Sequence, residues 1–155
     1  ADRIEKLAGL VLWEAPIGQF TAGAPQWWKD VESNIERGDL EAAVAAYMVD
    51  MPPEWIEGLK HSPAYPELIH SWVPDGSALA AIESAGLEAS LRGVSVPVLA
   101  VVGTETFPGM TESASAIAEA AQNGSSEEVK GAWHSWDDAA MAERLARVLA
   151  EVRGG

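Results

Sequence analysis

Two rhythms of apolar and polar positions run along this chain, and the rhythm changes twice. Near the start, "LAGLVLWEAP" holds a short apolar run closed by Pro16. A run of that length bounded by proline predicts a buried strand over residues 8–13. "IGQFTAGAP" follows as a loop rich in glycine and proline. From Gln26 to Arg37 the apolar positions Trp28, Val31 and Ile35 fall on one helical face, and Gly38 ends the helix. Asp39 is placed to cap a second helix, whose stripe is Leu40, Val44, Tyr47 and Met48. "MPPEWIEGLK" predicts a third, with proline in its first turn. "PAYPELIHSW" reads as a fourth, short and aromatic, and Ser77 caps a fifth that Gly86 stops.

The second rhythm begins at "VSVPVLAVVG", a valine-rich run that predicts a buried strand over residues 96–102. "TETFPGM" is a loop, and Thr111 begins a helix to about Gln122. "SEEVKGAW" holds a weaker strand around Glu128–Gly131. Asp137 caps the final helix, where Met141, Leu145, Val148, Leu149 and Val152 keep helical spacing. Asp137 and Asp138 sit at the positive end of its dipole, with Arg147 and Arg153 towards the negative end. No internal repeat or low-complexity tract interrupts the pattern.

Buried strands alternating with helices imply an α/β fold with parallel pairing. The aromatic-rich helices that follow the first strand read as a cap over the carboxyl edge of the sheet. Ligands bind at that edge in open parallel sheets.

Composition narrows the picture. The 155 residues fit one domain, and 48% of them are hydrophobic, which excludes disorder. The apolar runs are too short to cross a membrane, and no charged-then-apolar leader is visible, so the expected compartment is the cytoplasm. With no cysteine there are no disulfides, thiolate metal sites or cysteine nucleophiles. A net charge of −14 repels a polyanionic backbone, which argues against nucleic-acid binding. Acidity serves solubility first; recruitment of hard cations by carboxylates is the sharper reading.

Three segments carry a family resemblance. "RIEKLAGLVLWEAP" resembles the sixth core strand of an α/β-hydrolase, where an apolar run often ends in Tyr-Glu-Pro-Pro. "VSVPVLAVVGTETFPGM" is similar to that family's seventh strand and acid loop, and "VKGAWHSW" to its eighth strand and catalytic-histidine loop. The helices from 26 to 86 then correspond to the family's cap, and residues 1–25 and 87–155 to its core. The resemblance implies a truncated α/β-hydrolase-like domain over 1–155, with a three-stranded parallel sheet.

The family's nucleophile stands in a Gly-x-Ser-x-Gly elbow after the fifth strand. "RGVSVP", "DGSALA" and "NGSSEE" bring Ser near Gly, but none forms that elbow. The chain therefore resembles the second half of a hydrolase, without the elbow or its oxyanion-hole donors. The family's acid commonly falls about three residues after the glycine that closes strand seven. Thr106 occupies that place here, beside Glu105, whereas relatives with an acid after strand six would use Glu14.

The residues implied are His134, Glu14 and Glu105 as the catalytic set at three adjacent strand ends. Trp13, Trp133 and Trp136 flank them as a candidate substrate-binding wall. A histidine with carboxylates can act as general base on water, or hold a divalent metal ion that lowers the pKa of bound water. Hydrolysis of an ester or phosphoester is the expected reaction. Two alternatives stand beside it: one half of a split serine hydrolase completed by a partner chain, and a non-catalytic binding or scaffold remnant. His134 could also simply cap or pack. Glu14 could make a structural hydrogen bond, Glu105 could be solvated, and the tryptophans could be core. His61 and His70 read as structural, with His70 facing the site from the cap as its sharper alternative.

Without a fifth strand the edge at residues 8–13 is bare and apolar, which invites pairing with another chain. A homodimer through this edge, or through swapped cap helices, is the expected assembly.

Overall fold

A computed structural model describes residues 7–18, 23–49, 51–63 and 65–154, the side chains of residues 66 and 68–70 apart. The His70 side chain and part of the predicted 17–25 loop therefore lie outside the described residues. The chain divides into two compact units, Ala1–Gln19 with Gly86–Gly155, and Phe20–Ala85. The second unit begins six residues before the block expected at 26 and ends one residue before Gly86.

The first unit is an α/β layer structure. Its strands are β1 (Leu10–Trp13), β2 (Val98–Glu105), β3 (Gly124–Ala132) and β4 (Ser135–Trp136), paired in that order. β1, β2 and β3 run parallel, and β4 returns antiparallel to β3 as a two-residue hairpin arm. That arm extends the expected three-stranded parallel sheet by one. Among the described residues, β1 stands at one edge of the sheet.

Both faces of β2 are buried, as a central parallel strand requires. Val98, Ala100 and Val102 pack with Met110, Ala114 and Ile117 of a helix at Met110–Ala120, joined by Leu10 and Leu12. On the other face Leu99 and Val101 pack with Val129, and with Met141 and Val148 of a helix at Asp138–Gly154. Val11 and Trp13 join that second cluster. The alternation of β1, fed by a period of two, thus divides its side chains between the two layers.

The second unit holds α1 (Ala24–Glu36), α2 (Leu40–Tyr47), α3 (Pro53–Lys60) and α4 (Tyr65–Ala85). The Asp39 side chain accepts from the Ala42 N–H and caps α2 as expected. The two helices expected between residues 64 and 86 are one, with Pro74 inside it. Ser77 does not start a helix; its hydroxyl donates back to the Pro74 carbonyl at 3.1 Å. Packing overrides the proline signal: Trp72 stacks on Tyr47 at 4.1 Å, and Leu79 and Ala80 pack on the Trp27–Trp28 cluster. Gly76 makes this contact feasible, since a Cβ there would stand 2.0 Å from the Trp28 ring.

The remaining helices, all in the first unit, are α5 (Leu87–Leu91), α6 (Met110–Ala120) and α7 (Asp138–Gly154). Asp137 caps α7, accepting from the Ala140 N–H at 3.0 Å. It also pairs with Lys130 of β3 at 2.7 Å, while its own N–H donates to the Lys130 carbonyl. This one residue ties the base of the hairpin to the start of α7.

The Lys130 side-chain bond, then the helix N-terminal bond, hold the Asp137 carboxyl below its ordinary value of 3.8. A depressed carboxyl stabilises the fold above its unfolded pKa and stops doing so as pH falls through the folded one. Lys130, raised above 10.5 mainly by the same bond, contributes below that value and loses its contribution above it. Asp137→Asn is therefore expected to melt lower than the parent at neutral pH. The gap should close as acid protonates Asp137. Melting curves from pH 2 to pH 7 test this, and a gap independent of pH would refute it.

Candidate active site

β1, β2 and β3 end side by side, and the site is built where they do. The chain leaves β1 at Glu14, whose φ of 42° lies in the left-handed region. Trp133 and His134, between β3 and β4, have φ of 51° and 66°. Two consecutive positive-φ residues in a two-residue hairpin loop are the mark of a type I′ turn, which ordinarily takes Asn-Gly. Among the described residues these three are the only non-glycine positions with positive φ. Each costs on the order of 1–3 kcal/mol, and such strain gathers at functional sites.

Glu14 is buried, its side chain wholly inaccessible. Its Oε1 accepts from the Gly103 N–H at 2.9 Å. Its Oε2 accepts from the His134 N–H at 2.9 Å and stands 2.8 Å from His134 Nδ1. Three N–H groups thus converge on one carboxylate, as a buried charge requires. The contact engages Nδ1, and Nε2 is the ring nitrogen not bonded to Glu14. The His134 side chain is 38% exposed, so the ring is held at one end and accessible at the other.

The surroundings fix this pair. Gly103 admits the carboxylate: a Cβ there would come 3.0 Å from Glu14 Oε1 and 2.9 Å from the Gly131 carbonyl. Ser113 of α6, itself buried, donates to the Ala15 carbonyl at 2.6 Å and accepts from the Ile17 N–H at 2.9 Å. It pins the segment that follows Glu14. The Trp133 N–H donates to the Glu105 carbonyl at 2.9 Å, tying the turn to the end of β2. Phe107 lies 4.8 Å from the His134 ring and 5.1 Å, edge-on, from Trp133.

Of the predicted catalytic set, His134 and Glu14 come together and Glu105 stays apart. Its side chain is exposed and bonds neither of them, and only its backbone carbonyl serves the turn. The register slips between Gly103 and Glu105, just before that carboxylate. Thr106 has a buried hydroxyl with no hydrogen-bond partner. Trp133 and Trp136 are about half exposed, and Trp13 is half-buried beneath them. Trp13 and Trp136 meet edge-to-face at 5.7 Å. Ser113 and Phe107 carry no site signal in the sequence, and Gly103 carries one only as the glycine that closes "VLAVVG". Among the described residues no three His, Asp or Glu side chains gather to hold a metal ion. None of their helices is long and apolar enough to cross a membrane.

No family model matches the chain, and no curated protein matches it. A solved structure described as an α/β hydrolase from Sphaerobacter thermophilus is similar to it, with a TM-score of 0.69 at 18% identity. The match covers 91% of this chain and 58% of that one, so the chain spans little more than half the neighbour's length. At that identity the likeness shows the fold: this is an α/β-hydrolase-like architecture.

Proposed function

We propose that this chain carries the histidine–carboxylate pair of a hydrolase acting on carboxylic esters, with His134 Nε2 as general base. The observation that supports it is the 2.8 Å contact from the buried Glu14 carboxylate to His134 Nδ1. Glu14 fixes the tautomer and ring orientation and stabilises the imidazolium that forms. A hydroxyl beside Nε2 gives its proton to His134 as its oxygen attacks the ester carbonyl. The imidazolium then returns the proton to the departing alkoxide. A positioned base of this kind contributes about 10²–10⁴-fold.

Charge favours a carboxylic ester over a phosphoester. Phosphoryl transfer needs cations on the equatorial oxygens. The net charge of −14 works against binding an anionic phosphoester. In this reading water is the nucleophile that His134 activates. A second reading supplies a side-chain hydroxyl from polypeptide outside the described residues. It is favoured by the chain spanning only 58% of its structural neighbour.

The test is a panel of p-nitrophenyl acetate and p-nitrophenyl phosphate on the parent and on His134→Ala. The acetate is expected to turn over and the phosphate not, with His134→Ala about 10²–10⁴-fold slower. Equal rates in parent and variant would overturn the reading. The second reading is tested by adding in trans a separate chain that carries a serine elbow: covalent capture of that serine by an organophosphate should then depend on His134.

A further inference from the structure

We infer that Trp13 is a positioning residue that holds the His134 carbonyl while Glu14 holds its N–H and ring, an inference that rests on His134 being the base. The Trp13 indole N–H donates to the His134 carbonyl at 3.1 Å. Glu14 takes the N–H and Nδ1 of the same residue. Two consecutive residues at the end of β1 thus occupy the N–H, the carbonyl and one ring nitrogen of His134, leaving Nε2 for chemistry.

Consecutive strand residues ordinarily point to opposite faces and could not both reach one residue. The turn to φ 42° at Glu14 breaks that alternation. Trp13 keeps its place in the sheet face with Leu99, Val101 and Met141, while the carboxylate swings to the strand end. The strain at Glu14 therefore has an identifiable product, a two-residue grip.

The indole is itself held. Its far edge lies over Gly131, where a Cβ would come within 2.9 Å of Cη2, and Trp136 meets it edge-on at 81°. Gly131 and Trp136 face each other in the hairpin register, so the hairpin that presents His134 also seats the ring that holds it. His134 has positive φ in a strained turn, a conformation that persists where surrounding contacts over-determine it, and its carbonyl takes such a contact. The Trp13 N–H supplies that contact. This role differs from lining a substrate wall, because it acts on the ring angle of His134 and not on the ligand.

The experiment replaces Trp13 with its sulfur isostere, β-(3-benzothienyl)alanine, which keeps the ring and removes the N–H, and separately makes Trp13→Phe. kcat and KM for p-nitrophenyl acetate are measured together with solvent exchange of the His134 Nδ1 proton by NMR. With the isostere, kcat should fall about five- to tenfold at unchanged KM, and the Nδ1 proton should exchange faster by a similar factor. Trp13→Phe should do the same or more. Unchanged kcat and exchange would overturn the inference, as would a raised KM alone, which would make Trp13 a substrate contact. A collapsed melting temperature in the isostere would overturn it too, since the N–H would then hold the fold and not the ring. If His134→Ala hydrolyses as fast as the parent, the base reading fails, and the exchange rate alone decides the role of Trp13.

Discussion

Glu14→Ala is expected to lose about 3 kcal/mol of folding stability and to slow ester hydrolysis by about 10²–10⁴-fold. The stability loss follows from what the carboxylate satisfies. It accepts from the Gly103 N–H, the His134 N–H and the His134 ring from a site closed to solvent. Removing it orphans two backbone donors near the centre of the sheet end, at roughly 1–3 kcal/mol each. Partial exposure of His134 lets its ring turn to water, which keeps the total near the lower end of that range.

Glu14→Gln separates the two effects. The amide fills the same space and keeps one acceptor oxygen, so stability should recover by about half. Its NH₂ group would face donors, and it cannot stabilise an imidazolium, so activity should stay low. Urea unfolding and p-nitrophenyl acetate kinetics on both variants measure this. Activity that recovers together with stability in Glu14→Gln would show that Glu14 only packs.

How much of this was legible in the sequence depends on which physics set each feature. β2 was, because both of its faces are buried and "VLAVV" has to be continuous. β3 is legible only over 128–131, because residues 124–126 are exposed and, with Glu127, carry no apolar signal. β4 was not read at all. Its turn uses Trp133 and His134 where local rules expect Asn-Gly, so tertiary contacts, and not local propensity, impose the two positive φ values. The acid is legible in type but not in choice: Glu14 and Glu105 both follow the strands expected at 8–13 and 96–102. What separates them is the register slip before Glu105 and the donors that Gly103 and His134 turn towards Glu14. Neither follows from residue spacing. Fusion of two helices across Pro74 was lost in the same way, to aromatic packing between segments distant in sequence.

The second large effect concerns the joint between α6 and β3, which sets where β3, and with it the hairpin of His134, begins. Gly124→Ala is expected to cost about 3–4 kcal/mol. A Cβ at Gly124 would stand 2.0 Å from the Ala118 carbonyl oxygen and under 3 Å from two further backbone atoms of that residue. Ala118 lies in the last turn of α6, whose apolar face is locked against β2 by Met110, Ala114 and Ile117. A flexible side chain could move aside; a helix backbone packed on a sheet cannot. The strand start must shift instead, opening its pairing with Val98. Gly58→Ala supplies the contrast. Gly58 lies within α3, and its Cβ would meet nothing within 4 Å. The same substitution there should stabilise by about 0.5–1 kcal/mol through helix propensity and a less flexible unfolded chain. Urea midpoints of the two variants should therefore move in opposite directions. A Gly124→Ala protein within 1 kcal/mol of the parent would mean that α6 and β3 do not meet as closely as the backbone places them. The hairpin that presents His134 would then lack its fixed starting point.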